Sequence, residues 1–439
     1  MLKNRSLVRL LCLVAIGSLL FFLTGLQQFR NSEEHVIKAW NRSVLPSSTV
    51  VTQLPKRENP WIPVDNYNLQ LFSAYFDTRV PSQPLFRIVL YKNHGVRHSG
   101  RCVLRLRNGT QLILAGNFDL INKASPFCKG GCAWRYESYF FLCNAANIGA
   151  QAYQIAVAIG NETSDFLQII PASNPAASSM SNFLTVCTPA LWRFSDWLRL
   201  LVFVEYYKTV GVDKFLIYNY SLATDVDKVL RYYKSRGTVS IVQQPRIPHP
   251  NPRPSYVNGF EGSSNFGQQV AINDCVLRTA GSSQFVMLLD VDEFIGTSRT
   301  RPNFLKSLFT SQNRNRNLGG FQVRSAFWGG SWPQPSDLNS TKFEQISLEM
   351  FGSFKIGGIF GAGQRTKMVV RPEAVQKIAV HNVWSYLPGF FGNVLSPNDA
   401  LIYHLRRQGG AGTAVAPFTN LSSAVLSEVK NVISQIQKL

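Results

Sequence analysis

Acidic residues are scarce in this chain, with 25 Asp and Glu against 45 Lys and Arg in 439 residues, a formal net charge of +20. A surplus of this sign indicates anionic partners such as nucleic acid, phosphates, an acidic membrane surface or an acidic polymer. The basic residues are spread out, and the sequence lacks the long basic run that is typical of a nucleic-acid-binding arm. The distribution therefore favours a generally basic, soluble surface over nucleic-acid binding.

Cysteine and histidine are also few, and the sequence has no internal repeat. Beyond Cys12 the six remaining cysteines form an even set, which suits disulfides in an oxidising compartment, although six cysteines allow fifteen pairings. The triplet Cys128, Cys132 and Cys143 has no His near it and lacks a fourth ligand, which argues against zinc. The six are Cys102, Cys128, Cys132, Cys143, Cys187 and Cys275.

The N-terminus predicts the compartment. Residues 10–26 ("LLCLVAIGSLLFFLTGL") are uncharged and strongly apolar, long enough to span a thin bilayer. Basic residues precede them, so residues 1–9 should be a cytoplasmic tail and the remainder lumenal. A cleaved signal peptide is the alternative, but "TGLQQF" is a poor cleavage site, which favours an uncleaved signal anchor. Asn-x-Ser/Thr sequons follow at Asn41, Asn108, Asn161, Asn219, Asn339 and Asn420.

Composition divides the lumenal part into four segments. Residues 27–66 are polar and Pro-containing, which is typical of a stem. Residues 67–182 alternate short apolar runs with turn residues, which predicts a β-rich module ending in a small-residue linker. Residues 183–410 read as a catalytic α/β domain, and residues 411–439 as a C-terminal tail with an amphipathic helix that docks on the body.

The α/β domain is indicated by alternating helix and strand patterns. Such alternation at this spacing predicts a parallel sheet. The predicted helices are 197–210, 225–234, 268–279 and 420–438, and the predicted strands are 214–220, 238–244 and 285–289.

Three of the few acids are crowded into "QFVMLLDVDEFI" (284–295), directly after an apolar strand. Ligands of an open α/β sheet bind at the carboxyl ends of its strands. In an extended backbone Asp290 and Asp292 would point the same way and converge on one ion. A Mn or Mg ion that bridges to a diphosphate would offset their repulsion. A surface turn in which both acids bond local amides is the alternative.

Five ordered blocks resemble glycosyltransferase family 92. They are "LFSAYFDTR" (71–79), "VEYYKTVGVDKFLIYNYS" (204–221), "FGQQVAINDCVLRTAGSSQFVMLLDVDEFI" (266–295), "TKMVVRPEAVQKIAVHNV" (366–383) and "ALIYHLRR" (400–407). The resemblance implies an α/β fold: a GT-A type nucleotide-sugar-binding sheet with helices on both faces. The β-rich N-terminal module and a single N-terminal transmembrane helix precede it.

Site residues follow from this resemblance by position. Asp290 and Asp292 would hold the Mn or Mg ion, with His381 as a further metal ligand or His404 as its rival. Glycosylation would be confined to Asn41, Asn108, Asn161, Asn339 and Asn420, because a glycan on Asn219 would fill the nucleotide pocket. The residues expected to contact the donor are Tyr218, Asn219, Gln268, Asp274, Glu293, Lys367 and Arg406.

The resemblance further implies transfer of galactose from UDP-galactose to a glycan acceptor with inversion, by a single-pass type II enzyme of the Golgi membrane. Inversion needs a general base, and no segment supplies an evident one. Glu344, Glu349 and Asp399 are weak candidates, each also explained as a solvated surface acid. Trp328 and Trp332 are expected either to stack on the acceptor sugar or to pack in the core.

Two other classes compete with the enzyme. One is a non-catalytic lumenal glycan-binding or interaction protein that retains the fold, which metal-dependent hydrolysis of a UDP-sugar would separate from a transferase. The other is a basic nucleic-acid binder, against which the signal anchor argues.

Overall fold

The computed structural model describes residues 61–66, 68–93, 99–121, 136–146, 148–173, 180–244, 267–312, 315–329, 354–406 and 412–438. The predicted tail, membrane span and most of the stem lie outside these ranges. Among the described helices, none is both long and apolar enough to cross a membrane.

The N-terminal part is a sheet that closes on itself, as the β-rich pattern predicts. β9 pairs in parallel with β2 and antiparallel with β7, so that seven strands form a ring in the order β2-β3-β6-β5-β4-β7-β9. The strands are β1 (Ile62–Val64), β2 (Leu69–Asp77), β3 (Leu85–Asn93), β4 (Gly100–Leu106), β5 (Gln111–Leu120), β6 (Tyr136–Asn144), β7 (Ala152–Ile159), β8 (Glu162–Thr163) and β9 (Leu167–Ala172).

Alternation along the strands divides the side chains of this ring into two cores. Ile88 and Phe141 belong to the apolar interior of the ring, whereas their neighbours Val89 and Phe140 belong to a second core shared with the α/β part. The period of two in a strand causes this division. The ring is therefore buried on its inside and, over part of its outside, against the rest of the chain.

A seven-stranded sheet forms the centre of the α/β part, in the order β12-β11-β10-β13-β18-β15-β21. The first four strands are mutually parallel, as predicted, and β18 is antiparallel to β13. The strands are β10 (Asn182–Leu191), β11 (Lys214–Asn219), β12 (Val239–Gln243), β13 (Ser283–Leu288), β15 (Leu318–Val323), β18 (Lys367–Val370) and β21 (Phe391–Val394).

Helices cover both faces of this sheet. The first face packs with α1 (Trp197–Thr209), α2 (Thr224–Ser235), α4 (Phe304–Gln312) and α5 (Thr419–Ile436). On the other face α3 (Gln268–Thr279) shares a core with the outside of the N-terminal ring. Helix α5 buries Val425, Val429 and Val432 at helical spacing, which confirms that the C-terminal helix docks.

Two smaller sheets complete the described fold. One has the order β14-β22-β16-β17-β23, and the other pairs β19 with β20. Their strands are β14 (Glu293–Gly296), β16 (Ser325–Gly329), β17 (Phe354–Ile356), β19 (Val375–Ile378), β20 (Val383–Tyr386), β22 (Leu401–Arg406) and β23 (Ala414–Val415).

Four of the six cysteines form disulfides in the described residues. Cys102 bonds Cys143 inside the ring, and Cys187 of β10 bonds Cys275 of α3. The first bond uses a member of the Cys triplet, so Cys143 is not a zinc ligand. Cys128 and Cys132 lie outside the described residues.

A buried cluster of ion pairs in the ring is hydrogen-bonded to the α/β part through Arg79. Asp77 binds Arg79 at 2.8 Å and Arg87 at 3.0 Å, and Arg79 also donates to the carbonyl oxygens of Pro372 and Val375. Burial opposes ionisation of Asp77, but the two guanidinium groups lower the pKa of Asp77 to about 2. This cluster therefore links the end of β2 to the segment between β18 and β19.

Candidate active site

A cleft of about 420 Å³ opens where the parallel strands β10 and β13 end. This is the edge of an open α/β sheet at which ligands bind. Most of the described side chains around it are polar or charged. The lining residues are Pro189, Ala190, Gln268, Asp290, Glu293, Arg365, Lys367, Val380, His381, His404 and Arg406.

The cleft exists because β10 runs past its neighbour. The last pair between the strands joins Cys187 to Leu288, whereas β10 continues to Leu191. The register with β11 shifts between Thr188 and Leu191, which takes Pro189 out of the regular ladder. Proline has no N–H to donate and is tolerated at such a bulge. Pro189 and Ala190 thereby form one wall.

The acidic motif is a tight turn. The Glu293 N–H donates to the Asp290 carbonyl oxygen at 3.1 Å, and the Asp290 N–H donates to Glu293 Oε2 at 3.0 Å. The prediction that an extended backbone aligns Asp290 with Asp292 is therefore wrong. The turn gives the two carboxylates different partners, Lys367 for Asp290 and His404 for Asp292.

Lys367 stands between two acids of the motif. Its Nζ lies 2.7 Å from Asp290 Oδ2 and 3.2 Å from Glu293 Oε2, and its side chain is 4% exposed. Burial opposes the charge on Lys367, but the two carboxylates outweigh it and raise the pKa of Lys367. Burial raises the pKa of Glu293 to about 7, with Asp290 adding to the effect and Lys367 opposing it. The cleft thus carries a fixed ammonium.

His404 lies between the other two carboxylates. Its Nε2 is 3.4 Å from Asp292 Oδ2 and its Nδ1 is 3.5 Å from Glu293 Oε1. Burial opposes ionisation of Asp292, but His404 and Arg406 lower the pKa of Asp292 to about 2. Neither ring nitrogen of His404 has a hydrogen-bond partner, although the residue is 5% exposed. A buried imidazole that contacts two carboxylates without a hydrogen bond to either suits the binding of a further group.

His381 is oriented by a single hydrogen bond. Its Nδ1 lies 2.9 Å from the Thr366 carbonyl oxygen, an acceptor, so Nδ1 carries the proton and Nε2 keeps a lone pair. Burial lowers the pKa of His381, which favours the neutral ring. A histidine whose second nitrogen donates to a backbone carbonyl is the usual arrangement of a metal ligand.

The donor atoms suit a divalent cation, although they do not form a closed cluster. Carboxylate oxygens and neutral imidazole nitrogens are ligands of Mn, and oxygens of Mg. Within the described residues, no three His, Cys, Asp or Glu side chains are grouped as a metal centre. The ammonium of Lys367 and the ring of His404 instead neighbour the acids.

Two predicted donor contacts, Tyr218 and Asp274, do not line this cleft. Both are fully buried, and the Tyr218 hydroxyl donates to Asp274 Oδ2 at 2.6 Å. Asp274 also accepts from Ser73, Tyr75 and Arg278. The alternation of β11 turns Tyr218 towards α3 and the N-terminal ring, so this network joins two parts of the fold.

Asn219 does not line the cleft either. It is 4% exposed, and its Nδ2 donates to Gln243 Oε1 at 2.9 Å.

We expect Asn219 to carry no glycan, because its amide is held inside the fold. Peptide mapping by mass spectrometry should show Asn219 unmodified, with the exposed sequons Asn108, Asn161 and Asn420 as the comparison. A glycan on Asn219 in folded, monodisperse protein would contradict this placement.

The remaining residues predicted to contact the donor do line the cleft, whereas no candidate for the general base is placed in it within the described residues. Gln268, Glu293, Lys367 and Arg406 are all in the lining. Asp399 is exposed in a turn and does not line the cleft. Trp328 is 1% exposed in the core, so it cannot stack on a sugar. Glu344, Glu349 and Trp332, with the sequons Asn41 and Asn339, lie outside the described residues.

Sequence reasoning missed Arg365 and the wall formed by Pro189 and Ala190. The Arg365 guanidinium lies 5.1 Å from the centre of the Phe327 ring and 5.6 Å from that of Phe360. Arg365 stands two residues before Lys367, at the edge of a block that the sequence had marked. The signal for Arg365 is its position as a basic residue directly before the block 366–383.

Three cations line the assembled cleft, a composition that suits a phosphorylated ligand. Arg365, Lys367 and Arg406 present three cationic side chains to one space, and guanidinium groups bind phosphate oxygens in a bidentate manner. Carboxylates and imidazoles stand beside them. The fold and the cleft together define an α/β protein with a cationic cleft at the carboxyl ends of its strands.

Residues 182–438 match the family model described as Glycosyltransferase family 92. The chain belongs to this family. Two Caenorhabditis elegans proteins named as members of the same family are similar to it. One is 24% identical over 293 residues, which cover 63% of this chain and 54% of the relative. The other is 29% identical over 125 residues, which cover 28% of this chain and 25% of the relative.

Among solved structures, glucosyl-3-phosphoglycerate synthase from Mycobacterium tuberculosis is similar at a low level. Its complex with Mg2+ and uridine diphosphate aligns with a TM-score of 0.27 and 12% identity, covering 58% of this chain and 79% of that one. Its complex with phosphoglyceric acid aligns with a TM-score of 0.25 and 11% identity. Scores this low do not establish a shared fold.

Proposed function

We propose that this chain is a glycosyltransferase of GT-A type that uses a nucleotide-diphosphate sugar. The observation that carries the proposal is the buried Lys367 ammonium at 2.7 Å from Asp290, beside Arg365 and Arg406, at the carboxyl ends of parallel strands. Membership of glycosyltransferase family 92 supports the same activity. The family supplies the reaction class, and the cleft supplies a place for the donor.

The cationic residues have a defined task in such a transfer. An acceptor hydroxyl oxygen bonds to the anomeric carbon and releases its proton to solvent, while the bond from that carbon to the diphosphate oxygen breaks. The nucleoside diphosphate then leaves with the electron pair, and negative charge builds on its oxygens. Lys367, Arg365 and Arg406 are placed to stabilise that charge, since all three face the cleft before the reaction begins.

A divalent cation is part of the proposal. Asp290 and Asp292 would hold Mn or Mg, with His381 or His404 as a further ligand. Such an ion supplies Lewis-acid stabilisation of the departing diphosphate. Lys367 would then exchange its carboxylate partners for phosphate oxygens. The orientation of His381 by Thr366 and the absence of hydrogen bonds from the ring nitrogens of His404 support this ligand choice.

The finer assignments rest on the sequence. The resemblance to the family favours UDP-galactose as donor, inversion at the anomeric carbon and a glycan acceptor. The apolar segment 10–26 favours a type II protein of the Golgi membrane whose catalytic domain is lumenal.

The test is a panel of UDP-sugars offered to the purified full-length chain with Mn supplied, read by release of UDP. We expect turnover with UDP-galactose. Asp290→Asn and Asp292→Asn should lower this turnover by about a hundredfold or more, because each would remove a carboxylate ligand of the proposed Mn or Mg ion.

Asp399→Asn is the matched control, since Asp399 is an exposed acid that does not line the cleft. This variant should keep wild-type turnover. Equal UDP release by the Asp290 and Asp292 variants and the Asp399 variant would remove both acids from the mechanism.

A non-catalytic glycan-binding protein is the second candidate, and one observation favours it. The only described carboxylates that line the cleft are Asp290 and Glu293, and both are within 3.2 Å of the Lys367 ammonium. Neither is therefore available as a general base in this arrangement. Binding of UDP-galactose without release of UDP, in every acceptor mixture tried, would favour this second function.

A further inference from the structure

A second cavity, of about 660 Å³, lies at one end of the N-terminal ring, and none of its described lining residues belongs to the cleft. Its lining comes from places where strands begin or end. Phe76 lies near the end of β2, Pro84 precedes β3 and Ala145 follows β6. The turn between β4 and β5 contributes Asn108. The cavity is therefore the mouth of the ring, and the mouth of a closed β-sheet is a common place for a ligand.

The floor of this mouth is apolar. Phe76 and Ile148 line it, are only partly buried, and pack on the core inside the ring. Leu112 and Tyr153, near the starts of β5 and β7 at the same end of the ring, are each 38% exposed. Burying apolar surface contributes about 25 cal/mol per Å². A group with apolar faces would therefore stabilise the ring by covering this end.

Asn108 forms part of the cavity wall and is the first residue of the sequon Asn108–Gly109–Thr110. Its Oδ1 accepts from the Thr110 N–H at 3.0 Å and from the Thr110 hydroxyl at 2.8 Å. In the part of the chain that the structure describes, Asn108 Nδ2 donates no hydrogen bond, and the residue is exposed. The nitrogen that a glycan would use is thus available at the wall of the cavity.

Polar side chains stand beside the apolar floor. Arg107 and Gln151 line the cavity, and the Arg107 N–H donates to the Gln151 carbonyl oxygen at 2.9 Å. Both side chains are exposed and can donate to hydroxyl or carbonyl oxygens. N-acetylglucosamine has an apolar ring face and a methyl group for the floor, and hydroxyl and acetamide oxygens for the rim. The lining therefore matches the sugar that begins an N-linked glycan.

We propose that the mouth of the ring is the seat of an N-linked glycan on Asn108, whose first N-acetylglucosamine covers Phe76 and Ile148. The inference rests on the lumenal location in the proposed function. In this modification Asn108 Nδ2 loses a proton and bonds to the anomeric carbon of the sugar, and the diphosphate of a lipid-linked glycan donor leaves with the electron pair. Because the sugar is attached at the cavity wall, its ring lies against the floor.

The first experiment compares the release of two glycans by peptide N-glycosidase from the full-length chain produced in cells with a secretory pathway. Asn161 is the control, since it is exposed in the turn between β7 and β8, at the opposite end of the ring. Release from native protein should be about tenfold slower at Asn108 than at Asn161, because the linkage is covered. After unfolding in urea, mass spectrometry of the peptides should show equal rates.

The second experiment removes the glycan by substitution and measures the binding of anilinonaphthalene sulfonate, a dye that binds exposed apolar surface. Thr110→Val destroys the sequon and should raise the dye fluorescence roughly twofold. Thr110→Ser keeps the sequon and should match wild type, as should Asn161→Gln, which removes the control glycan. Equal fluorescence of the Thr110→Val and Asn161→Gln variants would mean that the Asn108 glycan covers nothing.

The outcomes separate this inference from the proposed function. Equal release from Asn108 and Asn161 in native protein would overturn the seat and leave the lumenal transferase standing. An unmodified Asn108 in protein that carries a glycan on Asn161 would do the same. A chain without a glycan at either sequon would overturn the lumenal location, and the seat with it.

Discussion

Lys367→Met is expected to abolish productive donor binding. Methionine keeps most of the length of the lysine stem and removes the ammonium that lies 2.7 Å from Asp290 and 3.2 Å from Glu293. Two carboxylates at a buried site then lose their cation, which costs about 3 kcal/mol of unfolding free energy. The departing diphosphate also loses a fixed positive charge. We expect kcat/KM for the UDP-sugar to fall about a thousandfold.

The same variant should bind Mn2+ more tightly than wild type when no nucleotide is present, because its acids are no longer paired with Lys367. Electron paramagnetic resonance of free Mn2+ measures this without any turnover. Lys355→Met is the matched control, since Lys355 is exposed on β17. A donor dissociation constant within about threefold of wild type, with unchanged Mn2+ binding, would show that Lys367 is not the cation of the site.

Asp274→Ala is expected to destabilise the fold without altering donor recognition. The carboxylate is fully buried and accepts hydrogen bonds from Ser73, Tyr75 and Tyr218, and it pairs with Arg278 at 2.9 Å. Removing it leaves three buried hydroxyl groups and a guanidinium without their partner. A loss of about 4 kcal/mol in the free energy of unfolding follows.

Urea unfolding measures that loss, and donor KM on the folded fraction separates stability from recognition. Asp225→Ala is the control, because the Asp225–Lys228 pair on α2 is exposed and should contribute less than about 1 kcal/mol. If Asp274→Ala kept the stability of wild type but raised the donor KM, Asp274 would belong to the donor site after all.

Local patterns in the sequence located most of the α/β elements. The predicted helix 268–279 coincides with α3, and the predicted helix 197–210 ends one residue beyond α1. Gly267, with φ 81°, marks the start of α3 in a conformation that favours glycine. Helix-capping residues, glycines and apolar periodicity act over a few residues, so they can be recognised in the sequence without knowledge of the tertiary structure.

The first parallel strand, β10, was missed for a physical reason. Its sequence "NFLTVCTPAL" follows a linker-like stretch and contains Pro189, and a proline within an apolar run argues against a central strand. The proline is tolerated because the register shifts between Thr188 and Leu191. The irregularity that hid the strand from sequence patterns is the one that opens the cleft.

The site was predicted in part. The acids after β13 mark the carboxyl end of a strand, and that local signal led to Asp290, whereas Lys367 was implied by the resemblance to the family. Partners are set by long-range packing, which a single sequence does not reveal. Tyr218 and Asp274 were therefore predicted to contact the donor, although both are buried away from the cleft.

The region that matches the family, residues 182–438, is smaller than the unit that folds. One apolar core is shared by Trp61, Tyr75 and Val89 of the N-terminal part and by α3 and β13, while Arg79 reaches the carbonyl oxygens of Pro372 and Val375. A protein cut at residue 182 would expose the α/β side of that core to water. The N-terminal ring is therefore an integral part of the α/β body, and a substitution in either part can alter the packing of the other.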